Sequence, residues 1–230
     1  MQDKGLQKQF FQSNGIPTAR FKLVDSKTEL AKSISDFPVM LKLRTGGYDG
    51  KGVMKLKSVN DIPTVFDGSY VVEEMIDFSM EIAVIVSRNL NGQISNFPVV
   101  EMEFNPEANL VEFLCSPARI EKEMESKAIS IARDVIDKMK LVGVLAVEMF
   151  VTKDGKILVN EIAPRPHNSG HQTIEGNVTS QYAQHLRAIM NLPLGNTETV
   201  RPAVMINLLG EAAYEGEAIY QGIEEVLSWP

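Results

Sequence analysis

The dipeptide Asp154-Gly155, set between the apolar runs 142–151 and 156–162, constrains this chain more than any other feature. Asp-Gly in that position predicts a two-residue type I′ hairpin with both central residues at positive φ. The turn pairs Lys153 with Lys156, and counting back along both strands brings Glu148 opposite Glu161. Their Cβ atoms are then expected roughly 5 Å apart on one face of the sheet. Two carboxylates at that spacing repel unless one is protonated or a cation lies between them. Ala146, Phe150, Val159 and Ile162 flank them, so the strands are expected to be buried. That setting favours a hard divalent cation carried in with a phosphate over a solvated hairpin face with two stray acids. Asn160 offers a further oxygen beside Glu161. His167 and His171 have i, i+4 spacing, but the intervening Asn-Ser-Gly speaks against a helix, and with it against zinc.

A second feature is the glycine-rich stretch from Thr45 to Gly52. Glycines permit positive φ and let backbone N–H groups converge on an anion, to which Lys51 adds a point charge. No Ser or Thr follows the lysine, and strands flank the loop on both sides, so it is neither a Walker A loop nor a dinucleotide fingerprint. A phosphate cradle and a plain hairpin connection both remain open on composition. Lys42, on the strand entering the loop, tips the balance toward the cradle.

The other elements are read from periodicity and end signals. Helices are expected over 4–14, over 26–35 with a capping box at Ser26 and Glu29, over 121–139, and over 177–190. Strands are expected over 37–43, 53–57, 70–75, 81–88, 94–104, 110–116, 142–151, 156–162 and 200–209, with 61–68 irregular. The fold class is therefore α+β, with antiparallel or mixed sheets and flanking helices. A strand end at Glu73-Glu74-Met75-Ile76 suits an adenine edge, and a carboxylate such as Glu81 suits ribose hydroxyls; the Glu74 side chain is read as solvated. Arg165, His167 and Asn168 sit in a Pro-flanked polar segment fit for substrate groups.

Composition excludes several classes. With 23 Lys plus Arg against 30 Asp plus Glu, the net charge of −7 opposes a nucleic-acid binder. The single cysteine, Cys115, excludes a disulfide framework and fits a reducing compartment. No apolar run is long enough for a membrane span, and the first residues carry no signal-peptide core, so a cytoplasmic protein is expected.

Taken together, Phe37-Pro-Val-Met-Leu-Lys42, the Gly-Gly-Tyr-Asp-Gly-Lys-Gly loop, Glu73 to Glu81, Val147-Glu148 and Asn160-Glu-Ile-Ala-Pro-Arg-Pro-His-Asn-Ser-Gly-His171 resemble an ATP-grasp enzyme. More narrowly, the strings resemble the 5-(carboxyamino)imidazole ribonucleotide synthases of purine biosynthesis. The resemblance implies a carbon–nitrogen ligase that carboxylates 5-aminoimidazole ribonucleotide with bicarbonate and ATP, through carboxyphosphate, giving ADP and phosphate. It implies Mg2+ or Mn2+ as cofactor and a homodimer. The alternatives are an ATP-binding unit without turnover, and another grasp ligase such as a formate-dependent glycinamide ribonucleotide transformylase.

The same resemblance implies residue roles. ATP contacts fall to Lys4, Lys42, Gly47, Tyr48, Asp49, Gly50, Lys51, Gly52, Val53, Glu73, Glu74, Met75, Ile76, Glu81, Asn160 and Glu161. Metal ligands are Glu148 and Glu161. The bicarbonate and ribonucleotide side is Tyr48, Arg165, His167, Asn168 and Arg187, with Arg165 and Lys42 catalytic. The implied organisation is a remnant helix over 1–20, a lid over 21–75, a large subdomain over 76–210 and the start of a further segment over 211–230, with truncation at both ends. Lys4 stands where the family usually carries arginine, and Met102 and Phe104 stand where asparagine and histidine are common.

Overall fold

The computed structural model describes residues 2–47, 52–105, 110–208, 216–217 and 219–229. The expected loop residues Tyr48, Asp49, Gly50 and Lys51 lie outside that set. Two antiparallel sheets carry the molecule, as the α+β reading requires.

The smaller sheet has the order β1-β4-β2-β3, built from β1 (Phe21–Val24), β2 (Val39–Leu43), β3 (Val53–Leu56) and β4 (Tyr70–Glu74). Strand alternation divides its faces. Val39, Leu41, Tyr70 and Val72 join Leu30 of helix α2 (Lys27–Ser33) in one apolar cluster. Met40, Lys42, Val71 and Glu73 occupy the other face, with Met40 opposite Glu73 and Lys42 opposite Val71.

The larger sheet runs β10-β9-β5-β7-β8-β11, with a short β6 on β5. Its strands are β5 (Phe78–Arg88), β6 (Ile94–Asn96), β7 (Val100–Asn105), β8 (Leu110–Ser116), β9 (Gly143–Thr152), β10 (Ile157–Ala163) and β11 (Ala203–Ile206). Helix α3 (Lys122–Met139) lays Ala128, Ala132, Val135 and Ile136 on Ile82, Val84, Val86, Leu145 and Val147. Phe11 of helix α1 (Lys4–Ser13) joins this cluster, so α1 packs with the large sheet. The alternate residues of β5, β9 and β10, among them Glu81, Glu148 and Glu161, face away from α3.

Several expectations are corrected. The 152–156 hairpin has a three-residue loop: Thr152 N–H donates to the Lys156 carbonyl at 2.9 Å, and only Gly155 has positive φ. Thr152 Oγ1 also accepts from Lys156 N–H at 2.9 Å, which braces the wider turn. The ladder therefore starts one residue out of the expected register, with Val159 opposite Met149. A bulge at Asn160 restores it, and Glu161 ends opposite Glu148 after all.

The run 94–104 breaks into β6 and β7 at Phe97-Pro98, where proline has no N–H for the ladder and Phe97 turns wholly into the core. Residues 177–190 yield helix only from Gln181: Ser180 caps α5 (Gln181–Ile189) by accepting from Ala183 N–H, and Asn177 pairs with Thr199 as a bridge. A short α4 (Thr173–Gly176) precedes it. A 3-10 turn over Val59–Thr64, opened by a Ser58–Asp61 capping box, runs into the stretch 61–68 read as irregular. At Ser26 only half of the box forms, since Glu29 accepts from Asp25 N–H at 3.0 Å.

Candidate functional site between the two sheets

The parity of β5, β9 and β10 brings three carboxylates to one face. Ala83 lies opposite Glu148, Glu81 opposite Phe150, and Glu148 opposite Glu161. Burial, with Glu161 and Glu81 adding repulsion, pushes the Glu148 carboxyl up to about 8. Burial pushes Glu81 up to about 7, against the pull of Lys42. Burial also acts on Glu161, but Lys4 and Lys42 outweigh it and hold that carboxyl below its ordinary value. Of the facing pair, Glu148 is pushed toward its protonated form and Glu161 toward its charged form.

Basic side chains reach these acids from several elements. Lys4, in the first turn of α1, forms an ion pair with Glu161. His167 Nε2 lies 3.5 Å from Glu148 Oε1. Lys42, from the small sheet, donates to Asn160 Oδ1 at 2.7 Å and pairs with Glu73 at 3.1 Å. The bulge that aligns the two glutamates thus also presents Asn160 to the opposite sheet.

Glu73 is buried and meets a second lysine, Lys8 of α1, at 3.2 Å. Burial lowers Lys8 to about 8, although Glu73 opposes the shift. The sequence reading missed Lys8. Its signal was placement on the stripe of α1 that carries Gly5, Gln7 and Phe11, the face that must be buried. Glu74, read as solvated, instead holds Arg20: Nε donates at 2.7 Å, and the Arg20 N–H donates to Oε1 at 2.8 Å. Residues 75–77, which include Met75 and Ile76, link β4 to β5 outside any strand.

The root of the glycine loop is tied to α1. Arg44 forms a two-pronged contact with Asp3, at 3.1 and 2.8 Å, and its carbonyl accepts from Lys4 N–H at 2.8 Å. Gly52, at φ 80°, closes the hairpin by accepting from Leu43 N–H at 2.8 Å. A Cβ there would lie 3.2 Å from Gly47 Cα, so the position needs glycine for space as well as conformation. Val53 begins β3 directly after it.

The expected substrate residues are only partly gathered. His167 caps a 3-10 turn, Asn168–Gly170, and stands beside Glu148. Asn168 Oδ1 is buried without a hydrogen-bond partner. Arg165 is exposed and donates to the Pro166 carbonyl at 3.0 Å. Arg187, on α5, donates to the Pro193 carbonyl at 3.1 Å. The segment is held by Gln181, fully buried, whose amide accepts from His167 N–H at 2.9 Å and donates to its carbonyl at 2.7 Å. No sequence pattern marks that clamp. Met102, one of the departures, is buried opposite Glu81, and Phe104 packs on the same cluster.

Glu148 and Glu161 are two ligands rather than a cage. Among the described residues, no group of three or more His, Cys, Asp or Glu is placed to hold a metal ion. Two facing, largely buried carboxylates that repel each other fit a hard cation whose other oxygens arrive with a phosphate. A cavity of about 730 Å3 lies apart from the acids, beside Arg20, Phe21, Val39 and Val72, and shares only Glu73 and Glu74 with the predicted site.

A family model described as an ATP-grasp domain matches residues 9–182. The chain is 43% identical over 217 residues to N5-carboxyaminoimidazole ribonucleotide synthase of Bacillus subtilis (strain 168), covering 91% of this chain and 56% of that one. The crystal structure of N5-carboxyaminoimidazole ribonucleotide synthetase from Thermotoga maritima matches at a TM-score of 0.86 and 47% identity, over 99% of this chain and 59% of that one. The synthase of Aspergillus clavatus, in complex with ADP and 5-aminoimidazole ribonucleotide, matches at 0.83 and 34% identity, over 92% and 57%. The chain thus spans a little over half the length of these relatives.

Proposed function

The chain belongs to the ATP-grasp family, and from that premise we propose that it binds ATP between its two sheets and serves the carboxylation of 5-aminoimidazole ribonucleotide by bicarbonate. The observation that carries the reading is the facing pair Glu148 and Glu161, met by Lys4 and by the Lys42–Asn160 contact from the opposite sheet. The relatives that the chain resembles along most of its length are synthases of that reaction.

Within this reading, residues 21–75 form the lid and 76–210 the large half. Lys42 and Lys4 neutralise charge that spreads over the γ-phosphoryl group as a bicarbonate oxygen attacks phosphorus and ADP leaves. Glu148 and Glu161 would hold Mg2+, which supplies further neutralisation of the phosphate oxygens when bound. Glu81 accepts from the ribose hydroxyls, and the 73–76 segment reads adenine. The glycine loop, with Tyr48, Asp49, Gly50 and Lys51, closes over the phosphates and excludes water from carboxyphosphate. The amine of the ribonucleotide then attacks the carboxyl carbon, and phosphate leaves. His167 and Asn168 stand on that side, with Arg165 and Arg187 completing it. A reducing cytoplasm, supported by the single Cys115, and a homodimer belong to the same reading.

One observation favours a second outcome, nucleotide binding with little turnover. Arg165 and Arg187 are turned to backbone carbonyls of their own segments rather than to Glu148 or Glu161. ADP formation is the test, with and without bicarbonate and aminoimidazole ribonucleotide, beside an Arg165→Ala variant. The carboxylation reading expects release that requires both substrates, with Arg165→Ala keeping nucleotide affinity and losing transfer. ATP binding with no substrate-dependent release favours the second outcome. Absence of ATP binding overturns both.

A further inference from the structure

Resting on the nucleotide reading above, we propose that Lys8, which no expected ATP contact includes, is a positioning residue that leaves the buried Lys8–Glu73–Lys42 triad, beside the phosphate side of the cleft, with one positive charge in excess. Lys42 alone against Glu73 would make a neutral buried pair. The second lysine changes the count, because Glu73 meets Lys42 at 3.1 Å through one oxygen and Lys8 at 3.2 Å through the other. Below about pH 8, where Lys8 keeps its proton, the two ammonium groups and one carboxylate of this triad, all nearly free of solvent, sum to a single positive charge. Field from that charge is little screened in such surroundings, and it falls where a polyphosphate would lie beside Lys42.

Lys8 is fixed rather than free to follow a ligand. Its Nζ donates to Thr18 Oγ1 at 2.7 Å, and Thr18 Oγ1 donates to the Val159 carbonyl at 2.7 Å. Val159 N–H in turn donates to the Pro17 carbonyl at 2.7 Å. The anchor ends one residue before Asn160, the acceptor of Lys42. Both lysines are therefore referenced to the same stretch of β10. Lys8 lies nearest one oxygen of Glu73 and Lys42 nearest the other.

The inference separates charge from shape, so the test compares a charged with an uncharged ligand. ATP and adenosine are titrated into the 230-residue chain and its Lys8→Met, Lys8→Arg, Thr18→Val and Lys42→Met variants, with affinity read by calorimetry for ATP and by NMR for adenosine. Lys8→Met is expected to weaken ATP about tenfold, the scale of one charge at a partly desolvated distance, while adenosine affinity stays within about twofold. Lys8→Arg, keeping the charge, recovers most of the loss. Thr18→Val, which removes only the anchor, shows the same selectivity in smaller measure and stands in should Lys8→Met fail to fold. Equal losses for both ligands, or unchanged ATP affinity in Lys8→Met and Thr18→Val, overturn the inference. If Lys42→Met weakens ATP while the Lys8 and Thr18 variants do not, only the role of Lys8 fails. If the unaltered chain binds no ATP, the nucleotide reading fails, and this inference with it.

Discussion

Glu161 faces Glu148 because Asn160, one residue earlier, is squeezed out of the ladder between β9 and β10. The displaced residue is not idle, since its amide oxygen accepts from Lys42 Nζ at 2.7 Å. One irregularity thus aligns two acids and hands an acceptor to the opposite sheet. Glu161→Gln keeps shape and removes charge. It is expected to lower ADP formation by at least about 10²-fold, on the scale of losing a charge that the transferring phosphoryl group requires. Its affinity for adenosine should stay unchanged. A variant with normal turnover would remove the pair from the chemistry.

Glu148 gives the free protein a defined pH response. Its folded value, about 8, lies above the ordinary 4.5. The native state therefore binds more protons than the unfolded chain between those values, and stability falls as pH rises through that window. Thermal unfolding from pH 5 to pH 8 should show the decline, and Glu148→Gln should make it shallower, leaving the part that Glu81 contributes. At pH 8 the variant should melt higher than the original by more than about 3 °C, given the usual coupling of free energy to Tm at this size. Parallel curves for the two proteins would refute the assignment.

Glu81 titrates from about 7. Below that value it carries a proton and loses an acceptor that ribose hydroxyls need. Adenosine affinity should fall several-fold between pH 8 and pH 6. Adenosine carries no phosphate to titrate in that range, which isolates the carboxyl. Glu81→Gln should bind adenosine about tenfold more weakly at pH 8, the scale of a hydrogen bond to a charged group, and show no slope. NMR titration at the two pH values decides it.

The Gln181 clamp predicts a defect confined to the second substrate. Gln181→Ala removes the acceptor of the His167 N–H and one of two donors to its carbonyl, which Gly170 N–H still reaches at 3.0 Å, at a cost of about 1–3 kcal/mol. Gly170→Ala attacks the same contact from the other side, since a Cβ there would sit 2.5 Å from Gln181 Oε1. Both variants should lower Tm, and Gly170→Ala should raise the KM for aminoimidazole ribonucleotide more than that for ATP. Equal effects on both constants would argue for general loosening.

The strands of the site were legible because alternation and an Asp-Gly turn carry strong local signals. The facing of Glu148 and Glu161 was reached through two departures that cancel, a wider loop braced by Thr152 and a bulge at Asn160. Neither follows from residue types alone, because both depend on which backbone groups find partners. Lys8 and Gln181 stayed hidden for another reason. Each is a polar side chain buried by partners far away in the chain, Glu73 in one case and His167 in the other. Periodicity sees burial of apolar residues only. The break at Pro98 was available from proline's missing donor.

The two apolar cores of the halves share no residue, and α1 sides with the larger one. What crosses from the small sheet is polar: Arg44 to Asp3, Glu73 to Lys8, Lys42 to Asn160. Parting that seam uncovers ions and amides, which water solvates readily, together with the apolar side chains of Met40 and Val71 on the same face. Dissolved salt, by stabilising the liberated charges, therefore acts on how far the halves stand apart.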